Sequence, residues 1–133
     1  MTIIIYSDGG ARGNPGPAGI GAVLTNEQGN ILAEISKYIG VATNNQAEYQ
    51  ALIAALKKAV ELKAKNVYCY LDSELIVKQV KREYRVKNKE LAILFLEVRN
   101  LLCQFKSYTI THVLRENNKD ADRLANEAMD RGA

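Results

Sequence analysis

A chain of 133 residues has room for one domain, at a typical ~100–200 residues per domain. Its 47% hydrophobic and 25% charged residues match a folded globular protein and exclude a disordered or fibrous chain. Eighteen basic against fifteen acidic side chains leave a net charge of +3, too small to name a partner. Two cysteines, Cys69 and Cys103, cannot form a disulfide scaffold, and Cys69 in the apolar run Val67–Leu71 is expected to be a buried thiol. The chain opens without a basic leader and long apolar stretch, and no run reaches the ~18 apolar residues of a membrane span. A cytoplasmic protein that does not enter a membrane is the expectation.

Ile3–Tyr6 is a short β-branched run of the kind buried on both faces of a sheet. It stops at Ser7-Asp8-Gly9-Gly10, and the loop Gly13-Asn14-Pro15-Gly16-Pro17 follows. Ile20–Thr25 and Ile31–Ile39 read as two strands around the turn Asn26–Asn30. A long helix is expected from Thr43-Asn44-Asn45 to about Leu62, with Leu52, Ala55, Leu56, Ala59 and Val60 forming its apolar stripe. Asn66–Leu71 is the fourth strand, Ser73–Lys81 a short helix and Lys89–Phe105 a longer one. Tyr108–Val113 is the last strand and Lys119–Met129 the last helix. The order β-β-β-α-β-α-α-β-α predicts one α/β domain over residues 1–133. Its five-stranded mixed sheet would open with an antiparallel three-strand meander, add parallel strands, and be flanked by helices.

Four carboxylates stand out against this frame. Asp8 and Asp72 each follow a strand, where ligand sites form in open α/β sheets. Adjacent strands would bring both to one edge of the sheet. As alternatives, Asp72 would cap the next helix and Asp8 would be a turn residue. Glu48 shares a helix face with Leu52, Ala55, Ala59 and Leu62, so a carboxylate heads the stripe that faces the sheet. A capping box over Asn45-Gln46-Ala47-Glu48 explains its place at a helix start but not its buried phase. Asp122 repeats the pattern beside Ala121, Leu124 and Ala125, with a first-turn acid favoured by the helix dipole as the alternative. Converging carboxylates repel unless some stay protonated or a divalent cation sits among them. Oxygen ligands suit magnesium or manganese, and no His or Cys cluster is present for zinc.

Tyr6-Ser7-Asp8-Gly9-Gly10-Ala11-Arg12-Gly13-Asn14-Pro15-Gly16-Pro17-Ala18-Gly19 resembles the opening motif of type 1 ribonuclease H. Thr43-Asn44-Asn45-Gln46-Ala47-Glu48 resembles the second motif of that family, Leu71-Asp72-Ser73 the third, and the stretch from His112 to Ala125 the fourth. The four occur in order along nearly the whole chain. The resemblance implies a ribonuclease H-like fold and an endonuclease that cuts the RNA strand of RNA–DNA hybrids. It also implies two bound Mg2+ ions, with Mn2+ as a substitute, and products ending in 5′-phosphate and 3′-hydroxyl groups. Asp8 would bridge both ions, Asp122 would hold the one that activates water, and Glu48 and Asp72 the one facing the leaving 3′ oxygen. Two ions about 3.5–4 Å apart are the general arrangement for such a displacement. His112, ten residues before Asp122, matches a histidine that assists catalysis in many members. The sequence around Leu114-Arg115-Glu116 departs from the glycine-rich loop of those members, so Arg115 is the other candidate for that role.

Asn14, Asn44, Asn45 and Gln46 match or neighbour family positions that contact the hybrid, whose shallow minor groove is read through 2′-hydroxyls and phosphates. Thr43 at a helix start suits a phosphate. Between Lys78 and Lys89, six basic residues face one acid, a net +5, and Lys81, Arg82 and Arg85 in this run are expected to track backbone phosphates. The stretch is short and the chain has no tryptophan, so the long basic protrusion of some members is expected to be missing. No obligate protein partner is evident and a monomer is the expectation.

Overall fold

The computed structural model describes residues 1–133. Strands β1 (Thr2–Ala11), β2 (Gly16–Thr25) and β3 (Ile31–Ala42) form an antiparallel meander. Helix α1 (Asn44–Glu61) crosses to β4 (Asn66–Leu71), which pairs parallel to β1. Helices α2 (Glu74–Val80) and α3 (Lys89–Leu102) lead to β5 (Ser107–His112), parallel to β4. A single 3-10 turn at Arg115–Asn117 precedes α4 (Lys119–Arg131). The sheet order β3-β2-β1-β4-β5 is the five-stranded mixed sheet that the sequence predicts. No helix is long and apolar enough to cross a membrane.

The main core lies between the sheet and α1 with α3. Ile3, Ile5, Val67 and Cys69 of the central strands meet Leu52 and Leu56 of α1 and Val98 and Leu102 of α3, all of them fully or almost fully buried. Cys69 is the buried thiol expected, and burial pushes its pKa up to about 12. Helix α4 covers the other face of β1 and β2, where Gly19 and Gly21 let it lie against the sheet backbone. A Cβ on Gly19 would stand 2.7 Å from the Ala125 carbonyl oxygen, and one on Gly21 would overlap the Ala121 carbonyl.

Three boundaries differ from the sequence reading in ways that shape the site. Strand β1 does not stop at Ser7: it runs on through Ala11, because Asp8 to Ala11 pair with Gly21 to Ala18 of β2. Its pairing with β4 does end at Ser7–Leu71, so Asp8 sits where a neighbour leaves rather than where its own strand ends. At the start of α1 the cap is Thr43, whose Oγ1 accepts the Gln46 N–H at 3.1 Å while Gln46 Oε1 accepts the Thr43 N–H at 2.8 Å. That capping box leaves Glu48 free of any capping role. Ser73, not Asp72, caps α2, accepting the Ile76 N–H at 3.3 Å.

Candidate active site

Four elements deliver the carboxylates to one groove of about 370 Å³, lined by Asp8, Glu48, Asp72 and Asp122 together with Asn44 and Arg115. Asp8 is opposite Gly21 and so shares the α4 face of the sheet. Glu48 comes from the opposite side, on the second turn of α1. It reaches Asp8 at the gap left by β4, and the Gly9 N–H lies 3.5 Å from its Oε1. Gly9 makes this approach possible, since a Cβ there would overlap the Ala47 carbonyl. Asp72 follows the last residue of β4, and Asp122 lies in the first turn of α4. Oxygens of Asp8, Glu48 and Asp72 all lie within 4.8 Å of one another.

Burial and mutual repulsion set the charge state. Asp8 is 8% exposed, and burial raises its pKa to about 7; a hydrogen bond with Glu48 opposes the shift, while the charges of Asp72 and Asp122 add to it. Glu48 is raised well above the ordinary carboxylate range, first by burial and then by the charge of Asp8. Without a cation, one proton shared between these two relieves the repulsion. Glu48 Oε2 is buried with no hydrogen-bond partner. A buried, unpartnered carboxylate oxygen on a residue clustered with two further carboxylates fits a hard divalent cation, which would satisfy the oxygen and replace the proton.

Of the substrate-contacting residues expected around the start of α1, Asn44 lines the groove, and Asn14, Thr43, Asn45 and Gln46 do not. Asn14 Oδ1 accepts the Asn44 N–H at 3.0 Å, and Asn44 Oδ1 accepts the Ala11 N–H at 2.8 Å. Each carboxamide spends its oxygen on the loop and keeps its NH2 group as a donor. Asn45 is half-buried beside them. Gln46 is engaged at both ends, because its Nε2 also donates to Glu90 at 2.6 Å. Lys81, Arg82 and Arg85 are exposed and lie outside the groove, along recesses beside α2 and α3.

The structure separates the two candidates for the assisting role. His112 is exposed and lines a different recess, with Glu74, Lys78 and Lys81. Arg115 lines the acidic groove, its Nη2 3.6 Å from Asp122 Oδ1. The reason is the 3-10 turn, which carries the chain back over the groove after β5 has ended.

One residue of the site escapes the sequence reading. Asn118, 1% exposed, donates from Nδ2 to the Ser7 carbonyl at 2.9 Å, across 111 positions. Its own carbonyl accepts the Asp122 N–H at 3.1 Å. Asn118 thus ties the first turn of α4 to the residue before Asp8 and fixes Asp122 relative to Asp8. The only local signal is an Asn in the N-cap position, which says nothing of a partner on β1.

Residues 6–128 match the model of the reverse transcriptase-like family. A bifunctional protein of Mycobacterium tuberculosis is 46% identical over 134 residues, covering all of this chain. The crystal structure of ribonuclease H1 from Halobacterium salinarum NRC-1 is 44% identical, with a TM-score of 0.96 over 98% of this chain and 99% of that one. A ribonuclease H1 isolated from compost, LC11, was crystallised in complex with an RNA/DNA hybrid. It is 47% identical, with a TM-score of 0.91 over 97% of each chain. The chain spans 37% of the length of the mycobacterial protein and 63% of that of a curated ribonuclease HI from Halobacterium salinarum.

Proposed function

The chain belongs to the type 1 ribonuclease H family, and on that premise we propose that it cleaves the RNA strand of RNA–DNA hybrids in the acidic groove. The observation that carries the reading is the cluster itself: three carboxylates within 4.8 Å, one with a buried oxygen that no protein group satisfies. Asp8, Glu48, Asp72 and Asp122 would hold Mg2+, with Mn2+ able to replace it, at two positions. Such cations, when bound, neutralise the phosphate and lower the pKa of water.

The protein's own groups supply the rest. The NH2 groups of Asn44, which lines the groove, and of Asn14, bonded to its main chain, would serve as donors for 2′-hydroxyls and base edges, the features that distinguish an RNA-containing minor groove. Thr43, at the N-terminus of α1, keeps a hydroxyl proton for a phosphate oxygen, and the helix dipole favours an anion there. Arg115 donates to the phosphate being cleaved and balances the charge of Asp122. Asp122, with its side chain 31% exposed, orients the attacking water. The water oxygen bonds to phosphorus, the P–O3′ bond breaks, and the 3′ oxygen leaves with a proton. One fragment carries a 5′-phosphate and the other a 3′-hydroxyl.

The test is incubation with an end-labelled hybrid and its DNA–DNA and RNA–RNA counterparts, in magnesium or in excess chelator. Cleavage of the hybrid RNA strand alone, lost in chelator and lost in Asp72→Asn, is expected. Undiminished cleavage in chelator, or full activity of Asp72→Asn, refutes the assignment.

A further inference from the structure

Strand β5 is the last in the sheet, and its outer edge pairs with no strand. The C-terminus of α2 and the flank of α3 close over that edge around a recess of about 520 Å³. Lys81 and Arg82 enter it from the end of α2, Arg99 from α3, and Tyr108, Thr109 and Thr111 from β5. No carboxylate lines it.

Arg99 is the residue around which the recess is built. It is half-buried, with its guanidinium 5.8 Å from the centre of the Tyr108 ring. One nitrogen, Nη1, donates both to the Val80 carbonyl at 3.3 Å and to Tyr108 Oη at 3.0 Å. Its Nε is buried and has no partner. Neither Arg99 nor Arg82 forms an ion pair, and Lys81 has a long one with Glu83, at 3.6 Å with both side chains about half exposed. Arg99 also caps the C-terminus of α2 through Val80, which gives a purely structural reading. That reading accounts for Arg99; it leaves Lys81 with only the exposed Glu83 beside it, Arg82 with no anion, and the Arg99 Nε–H buried without an acceptor.

We propose that this recess seats a backbone phosphate of the bound nucleic acid, held by Arg99, Arg82 and Lys81. The proposal rests on the hybrid-cleavage reading and adds a contact outside the catalytic groove. A planar guanidinium with spare donors, flanked by two exposed cations and hydroxyl groups, suits a tetrahedral oxyanion. The register supplies the link to the site. Thr111 pairs with Tyr70, two residues before Asp72. Tyr108, beside Arg99, pairs with Val67, five residues before Asp72, so at ~3.3 Å per residue and one strand spacing of ~4.8 Å the recess runs from roughly 8 Å to roughly 17 Å from Asp72. At ~3.4 Å per base pair, about five base pairs of a duplex running from Asp72 along the sheet edge cover that span.

The experiment measures binding of a fluorescent 12-base-pair RNA–DNA hybrid in chelator between 50 and 200 mM salt, using ~0.7–0.9 of slope per phosphate contact as the yardstick. Because the seat holds one phosphate, the double variant Lys81→Gln/Arg82→Gln should flatten the slope of log K against log salt by about 0.8, and Arg99→Gln by no more than that. A control with the same charge change, Lys63→Gln/Lys65→Gln, lies before β4 at the opposite end of that strand and should leave the slope unmoved. Lys81 and Arg82 are exposed, so their variant stays folded and decides the matter if Arg99→Gln does not fold. Equal slopes in wild type and the double variant, or an equal loss in the control, overturn the seat. Cleavage of the same hybrid by the wild type in magnesium is followed in parallel. Absence of cleavage removes the underlying reading, whereas cleavage with unaltered slopes removes the seat alone.

Discussion

Replacing Asp8 with Asn should change how stability depends on pH before it changes anything else in the chelated protein. Asp8 has a pKa of about 7 in the fold against an ordinary 3.8, with burial as the main cause. An acid raised in this way keeps a proton in the folded state that the unfolded chain releases, so stability is lost as pH rises through 7. Between pH 5 and pH 8 those two values give a loss of about 2.5 kcal/mol. An unfolding entropy of ~2.1 cal/mol/K per residue over this chain makes that a fall in Tm of roughly 9 °C. Glu48 is raised too and adds to the same trend. Thermal melts of the chelated wild type should show this fall. Asp8→Asn should show a much flatter profile and melt at least ~9 °C above wild type at pH 8, since the amide carries no charge to bury. Magnesium at pH 8 should raise the wild-type Tm and do little for the variant. A wild-type Tm that is level from pH 5 to 8, or an Asp8→Asn protein less stable at pH 8, would refute the account of the buried cluster.

Three further outcomes are expected. Arg115→Ala should lower the single-turnover rate on a hybrid by on the order of 10²-fold, the cost of losing one aimed donor, while His112→Ala stays within about twofold. The reverse order would return the assisting role to His112. Asn118→Ala should cost ~1–3 kcal/mol in urea unfolding and lower kcat far more than it raises KM, because Asp122 loses its tie to the Asp8 strand. A rise in KM alone would argue against that tie. Gly21→Ala should destabilise by about 1–3 kcal/mol, because its methyl group meets the Ala121 carbonyl and pushes α4 outward. Wild-type stability of this variant would show that α4 has room to spare.

What the sequence revealed follows from the range over which each signal acts. Alternation and 3.6-residue periodicity are local, so β4, α1 and α4 are legible to within a few residues, and the buried phase of Glu48 marks it as out of place on an ordinary helix. Asp8 and Asp72 are legible because both stand at the end of apolar runs. The extension of β1 through Ala11 is not, because Gly9-Gly10 has the local chemistry of a turn and only pairing with β2 makes it strand. The cap at Thr43 and the tie from Asn118 to Ser7 depend on geometry that several polar residues in each stretch could satisfy. The +5 run reads as one patch along the chain. In space Arg82 borders two recesses, the β5-edge one with Lys81 and another on the flank of α3 with Arg85.

The glycines at Gly9 and Gly21 also bear on how the protein tolerates change. They lie on opposite faces of the paired strands, and each lets a helix rest main chain against main chain. The spacing between the Asp8 strand and the helices bearing Glu48 and Asp122 is therefore set by peptide groups, which every sequence shares. Volume-conserving exchanges among the leucines and valines deeper in the core put no side chain into those two contacts. An engineer could redesign most of the hydrophobic interior before disturbing the acidic groove, provided these two positions keep no side chain.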